Sequence, residues 1–467
     1  MKKTILFSVT FPFLILTFLY AVGSDDLQGS NTGWKAGVAR VVITPEQPIW
    51  MAGYSGRDHP AEGKLHDLWA KALVLEDANG EQAVLVTTDL LGFPKNMSDR
   101  IRDRLKVKFN LSRAQIILNS SHTHSGPVLK GSLTDIYPLN SNQVEKIEQY
   151  SGKLTDKIVK LVGEALNSMQ SVQVYAQNGV TRFQVNRRNN NERTLNPQTE
   201  LKGPNDYAVP VIKVVNEAED LIAVAFGYAC HGTVLSIYKW SGDYPGFAQI
   251  ELEKLHPGVT ALFFQGAGGD QNPLPRRTVS LAQQYGRELA AAVERVLNED
   301  MKKLSSVLST AYSEIELELT TPPTKEELLK MAEESSGYKK RWALRLIKKI
   351  ERGESLRTSY PYPVQVWNLG NQPLVSLGGE VVIDYAIRLK RIFDEDIFVL
   401  GYCNDRMSYI PSVRVLREGG YESISSQRNH GFPSTWKSDI ETMIIKEVLG
   451  LAKQAGVPQV ESRLLGN

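Results

Sequence analysis

Cysteine is nearly absent from this chain: 467 residues contain two, Cys230 and Cys403. A disulfide-stapled scaffold is thereby excluded. Histidine is also scarce, with seven, so two of them close together carry weight. There is no G-x-S-x-G elbow, which rejects a serine esterase of that type. The glycine-rich stretch Gln265–Pro273 lacks the Gly-Lys-Ser/Thr ending of a nucleotide P-loop and the spaced glycines of a dinucleotide fold. Excess charge is missing too. Lysine plus arginine number 54 against 52 acidic residues, and the count becomes equal if Lys2 and Lys3 leave with a leader. An electroneutral chain has no bulk attraction for nucleic acid or an anionic membrane. No repeat and no low-complexity linker divides it.

What is there begins with Met1-Lys2-Lys3-Thr4, an apolar run from Ile5 to Val22, and small residues Ala21, Gly23 and Ser24 before Asp25-Asp26. That layout reads as a bacterial-type signal peptide over residues 1–23, with secretion or a periplasmic location expected and no membrane span after cleavage. A single membrane anchor is the competing reading. No cysteine follows the run, so a lipoprotein anchor at this place is excluded.

Beyond the leader, hydrophobic periodicity predicts strands at Ala36–Ile43, Trp69–Leu75, Ala83–Thr88, Ala114–Leu118, Val211–Val215, Leu221–Tyr228, Val259–Phe264, Ala311–Leu319, Val364–Leu369 and Leu374–Leu377. Helices are predicted at Met97–Phe109, Val144–Met169, Val279–Leu297 and Lys437–Gln454. Strands and helices alternating at this spacing predict an α/β fold, with mixed sheets and flanking helices in one catalytic domain over residues 34–467. The charged helical stretch 324–352 reads as an insertion or a lid.

Chemistry gathers in loops that follow apolar strands, where a rigid base presents side chains. In His122-Thr123-His124 the two imidazoles are two residues apart, so an extended backbone points them the same way, and imidazole is the commonest side-chain metal ligand. His231, in Ala229-Cys230-His231-Gly232-Thr233, also ends a buried strand, and a core histidine is its plain alternative. Glu380 follows Gly378-Gly379, which allows a sharp turn before a carboxylate; a solvated surface glutamate is its alternative. The Gln265–Pro273 loop, carrying Asp270 and Asn272, exposes backbone amides able to cradle an oxyanion or orient a polar substrate. Gly401–Pro411 contains Tyr409, which composition alone assigns to packing.

Taken in order, His122-Thr123-His124-Ser125-Gly126-Pro127, the His231-Gly232-Thr233 segment with Ser241-Gly242-Asp243-Tyr244-Pro245-Gly246, the Gln265–Asp270 loop, Gly379-Glu380 and the Asn404–Pro411 segment resemble the neutral ceramidase family of zinc amidases over about residues 34–430. The resemblance implies Zn2+ held by His122, His231, Glu380 and Tyr409. It places His124 beside the metal for proton transfer or substrate orientation, with Arg187 and Tyr421 lining the pocket. It implies cleavage of an N-acyl bond in a lipid-like or other small-molecule substrate. Two departures stand out. Asn272 replaces a family serine, and an amide cannot act as a serine-type nucleophile. The sequence also ends soon after the catalytic portion, where the family continues into an immunoglobulin-like domain. Both turn the expectation away from ceramide. An acylated sugar, another N-acyl amine or an ester is the first alternative; a glycoside hydrolase using Asp270 and Glu380 and a non-catalytic binding protein are the others. Cys230 and Cys403 border two proposed ligands and are expected either to form a bracing disulfide or to be two buried thiols.

Overall fold

The computed structural model describes residues 1, 3–5, 33–196 and 198–459; most of the expected signal peptide lies outside the described residues. Gly33–Asn467 forms one unit. Its larger sheet runs in the order Thr260–Gln265, Leu221–Tyr228, Ala208–Asn216, Gln170–Val180, Trp34–Val42, Trp69–Glu76, Gln82–Thr88 and Ile116–Ser120. The first pair and the last pair are parallel; the strands between them pair antiparallel. A second sheet holds Leu308–Glu318, Ser359–Leu369, Gln372–Leu377 and Phe398–Leu400.

Alternation along the strands decides which layer each residue joins. In the strand Leu221–Tyr228, Ala223 and Ala225 face a core shared with Trp367, Leu374 and Phe398 of the second sheet. Val224 and Phe226 face the helices Asp243–Leu255 and Val279–Leu297. At the other end of the sheet, Val84 and Val86 pack under the helices Lys95–Phe109 and Ser141–Asn167. The far face of the second sheet is covered by Asp384–Phe393 and Ile440–Gln454. The order is therefore helices, sheet, sheet, helices, a mixed α/β architecture with flanking helices, as the sequence predicts.

The larger sheet curls until its two edge strands meet. Asn119, from one edge, is fully buried. Its Oδ1 accepts from the backbone N–H of Gln265 on the opposite edge at 2.8 Å, and its Nδ2 donates to Gly401 O at 2.9 Å. Beyond this seam the chains stay together, with His124 N donating to Gly232 O at 3.0 Å. Loops that leave opposite edges of the sheet are thus delivered to one place.

The stretch 324–352 is two helices, Lys325–Glu334 and Gly337–Glu351. The first opens on a capping box between Thr324 and Glu327. The second is docked rather than hinged: Trp342 Nε1 donates to Phe432 O at 2.9 Å, and Arg345 pairs with Asp135 at 2.7 Å.

Candidate metal centre

His122 stands two residues past the edge strand Ile116–Ser120, in a left-handed conformation with φ +57° that few non-glycine residues adopt. Its Nδ1 lies 2.7 Å from Leu91 O. His231, past the end of Leu221–Tyr228, places its Nδ1 2.7 Å from Gly268 O. A backbone carbonyl can only accept, so each ring carries its proton on Nδ1 and turns a bare Nε2 lone pair inward.

Glu380 and Tyr409 come as a pair, because the short parallel strands Glu380–Val381 and Tyr409–Ile410 set them side by side in register. Gly379, at φ +73°, makes the tight turn before Glu380; a Cβ there would meet Ile410 Cγ1 at 2.6 Å and Ser408 O at 2.7 Å. Glu380 Oε2 then lies 3.3 Å from His122 Nε2 and 3.4 Å from His231 Nε2. Tyr409 Oη is 3.1 Å from His231 Nε2. Four ligands held tetrahedrally at ~2.0–2.1 Å from one ion stand about 3.3 Å apart, and the observed separations match. Although buried, Glu380 Oε2 makes no aligned hydrogen bond. A buried carboxylate oxygen facing two imidazole lone pairs without an aligned donor is unfavourable in a low-dielectric interior, and a cation between them would relieve the conflict.

His124 adds a further nitrogen, its Nε2 3.2 Å from that of His122, and His122, His124 and His231 form a group able to hold a metal ion. Its Nδ1 is buried without a partner. Gly53, at φ +104°, lets the backbone lie against this ring, where a Cβ would come within 2.4 Å. Burial, then the neighbouring His122 and His231, push the His124 pKa well below its usual value. Burial and Arg187 push His231 down to about 4. Burial alone would raise Glu380, yet His122 and its other imidazole neighbours hold it well below the carboxylate range. Burial thus favours neutral His124 and His231 beside an ionised Glu380, protonation states that suit a cation.

Outside this ring, Arg406 Nη1 donates to Glu380 Oε1 at 3.2 Å, and His430 Nε2 lies 3.3 Å from the same oxygen. Arg187 donates through Nη2 to Tyr409 Oη at 3.1 Å and to Gly269 O at 2.9 Å, while its Nε pairs with Glu422 at 2.8 Å. Tyr421 stacks edge-on to Tyr409 at 5.3 Å, with the Arg187 guanidinium 5.5 Å from the Tyr421 ring. Sequence reasoning missed Arg406, His430 and Glu422. The scarcity of histidine could have flagged His430; nothing local marks Glu422.

A cavity of about 60 Å³ lies against His122, His124, Glu380 and Tyr409. His124, Tyr409 and Tyr421 also border a larger cavity of about 850 Å³ that reaches Arg187 and Asn272. Asn272 is buried there, its Oδ1 without a partner. Asp270 is placed differently from the expectation of a catalytic carboxylate. It is completely buried, and its oxygens accept from Asn186 Nδ2, Gln271 Nε2 and Ile383 N at 2.9, 3.1 and 2.9 Å. It ties three loops together and faces neither cavity. The cysteines are free and buried. Cys230 belongs to the core under the helices and Cys403 to the core between the sheets.

The fold and this centre define an α/β protein with an interior two-histidine, glutamate and tyrosine cluster at the end of a polar cavity. The model of the neutral/alkaline non-lysosomal ceramidase N-terminal region matches residues 34–275, and the chain belongs to that family. It is 25% identical to the neutral ceramidase of Pseudomonas aeruginosa over 280 residues, 56% of this chain and 40% of that protein. With neutral ceramidase 1 of Arabidopsis thaliana it shares 22% identity over 290 residues, 60% of this chain and 37% of that protein. The matched region thus spans about two-fifths of those relatives. The crystal structure of the Pseudomonas aeruginosa neutral ceramidase superposes with a TM-score of 0.71 at 18% identity, covering 91% of this chain and 75% of that one, which is a likeness of fold.

Proposed function

We propose that residues 34–467 form the catalytic domain of an exported, zinc-dependent hydrolase that cleaves an amide of the N-acyl type. One observation carries the reading: Glu380 Oε2, left without a hydrogen-bond donor, lies 3.3 Å from His122 Nε2 and 3.4 Å from His231 Nε2, with Tyr409 Oη 3.1 Å from His231 Nε2. Nitrogen and oxygen donors in this number and spacing suit zinc. When bound, zinc supplies Lewis acidity that polarises a carbonyl and makes water acidic near neutrality.

The chain's own groups account for the remaining requirements. Arg187 orients the Tyr409 phenol and lies over both pocket tyrosines, so Tyr421 faces a developing oxyanion with cationic support. His124, neutral and with a free Nδ1, can take up a proton from the attacking water and pass it to the departing amine. One water is consumed: its oxygen bonds to the carbonyl carbon, the C–N bond breaks, and the amine leaves protonated. Asn272 offers a carboxamide to the substrate in place of a hydroxyl. The alternative of a glycoside hydrolase that pairs Asp270 with Glu380 is weakened by the enclosure of Asp270. Export rests on the leader-like residues 1–23.

Metal analysis of the purified chain paired with an amidase assay tests the proposal. His122→Ala should lose zinc and turnover together; a variant that keeps both overturns the ligand assignment.

A further inference from the structure

The larger cavity is polar in a way that bears on the substrate. Leu274 is the one aliphatic side chain larger than threonine among its described lining residues. Long alkyl chains gain only by contact with apolar surface, and against a polar wall they strip water from groups they cannot satisfy. Four arginines line the same cavity, and three are neutralised. Arg187 and Arg188 pair with Glu422, and Arg276 with Glu192 at 2.6 Å.

Arg277 is the exception: it makes no ion pair among the described residues. The carboxylate it senses, Asp243, is committed to the backbone N–H groups of Val234, Leu235 and Tyr244. Arg277 is nevertheless held in place. Its backbone sits at φ +96°, its N–H donates to Val234 O at 2.7 Å, and its Nη1 donates to Tyr54 Oη at 2.9 Å. Its guanidinium lies 5.4 Å from the centre of the Tyr54 ring, which is itself 4.8 Å from that of His124. An exposed cation, tied through its backbone N–H and its Nη1 and without an ion pair among the described residues, therefore stands one ring away from the group beside the metal centre. In the same cavity the buried Asn272 Oδ1 has no donor.

We propose, building on the amidase reading, that the preferred substrate is a hydrophilic amide bearing a carboxylate remote from the scissile bond. The carboxylate pairs with Arg277, and a polar N–H or O–H of the substrate meets Asn272. A guanidinium matches a carboxylate in charge and in its forked geometry, and the Asn272 carboxamide satisfies its own acceptor only when such a donor arrives.

The test uses the zinc-loaded full chain with N-acetyl-6-aminohexanoate, its neutral primary carboxamide, and a short-chain ceramide in mixed micelles. Turnover is measured for each, and binding of each is measured separately by calorimetry. The acid should exceed its carboxamide at least about 10-fold in kcat/KM or in affinity, and should exceed the ceramide as well. Arg277→Gln should bring the acid-to-carboxamide ratio close to one, mainly through KM, and Arg277→Lys should restore part of it. Asn272→Ala, away from the charge, should weaken the acid and its carboxamide alike and keep their ratio. Turnover without preference for the acid, or a preference that Arg277→Gln leaves intact, overturns this inference and spares the amidase reading. Selective binding of the acid without turnover spares this inference and overturns the amidase reading. Neither binding nor turnover of the acid overturns the inference outright.

Discussion

Asn119→Ala should cost far more than the loss of one polar side chain suggests. The wild-type carboxamide spans the seam of the curled sheet: Oδ1 accepts from Gln265 N at 2.8 Å, and Nδ2 donates to Gly401 O at 2.9 Å and lies 3.3 Å from Gln265 O. After truncation the two carbonyls keep other donors. Cys403 Sγ remains 3.2 Å from Gly401 O, and Gly401 N 3.1 Å from Gln265 O. The Gln265 N–H has no such fallback. A buried amide left without an acceptor costs ~1–3 kcal/mol, and the two lost donations add about 1 kcal/mol net. The total is about 2–4 kcal/mol, a large share of the ~5–15 kcal/mol stability of an ordinary domain. Urea unfolding monitored by tryptophan fluorescence reads it directly: the midpoint should fall while the slope is unchanged. Because the seam also holds His122 and His231 in one place, zinc content should fall in the folded variant. A loss below ~1 kcal/mol with full zinc content would refute the idea that this one amide joins the two edges of the sheet.

Further outcomes follow from the same geometry. Glu380→Gln keeps the side chain's size but removes its charge, so zinc affinity by competition with a chelator should drop at least ~10-fold, with activity falling in step. His430→Ala leaves the four inner donors intact; removing a group that touches the outer oxygen of Glu380 should weaken zinc by ~10–100-fold, and an unchanged affinity would make His430 a packing residue. Burial pushes the Asp405 carboxyl up to about 7, with Tyr360 Oη 2.6 Å away. A raised carboxyl pKa stabilises the fold fully below the unfolded value near ~3.9, and that stabilisation is lost as pH climbs to about 7. The stability of wild type relative to Asp405→Asn should therefore decline by a few kcal/mol across that window; a flat difference rejects it. Both thiols are buried, with Cys403 pushed up to about 11, so a thiol reagent should label neither in the native chain and both in denaturant.

Most of the fold was legible because its strands are short apolar runs with clear ends. The strand at Leu221–Tyr228 and the helix at Val279–Leu297 fall where periodicity puts them. Three longer elements were not. Gln170–Val180 alternates polar and apolar residues right after a long helix and merges with it on inspection. Asp243–Leu255 begins with proline and glycine in its first turn, which reads as a loop. Asp384–Phe393 follows the Glu380 turn so closely that the carboxylate drew the attention. At the site, the histidines and Glu380 could be picked out by residue type at strand ends, whereas Tyr409 needed the family resemblance, since a buried tyrosine has many other uses. Asp270 shows the opposite failure: a glycine-rich loop advertises a carboxylate, and only the fold reveals that the carboxylate is spent on Asn186, Gln271 and Ile383.

The strained residues explain why the centre is assembled from loops and still holds its shape. His122, Asp243, Tyr402 and Asn404 all take left-handed backbone conformations, at φ +57°, +57°, +56° and +61°. Each is unfavourable for a residue with a side chain and persists only when its surroundings over-determine it. Those surroundings are visible. Asp243 gathers three backbone N–H groups. Asn404 accepts from Leu118 N at 3.0 Å and donates to Gln365 at 2.9 Å. The His122 ring is pinned by Leu91 O and lies 4.4 Å from the Tyr402 ring. Rigid strands fix where the loops start, and these side-chain anchors fix where they end. If so, Asn404→Gly, which relieves the backbone strain but removes the anchor, should lower zinc affinity even though glycine suits that φ better. A gain in affinity would mean that the loop needs only permission to turn.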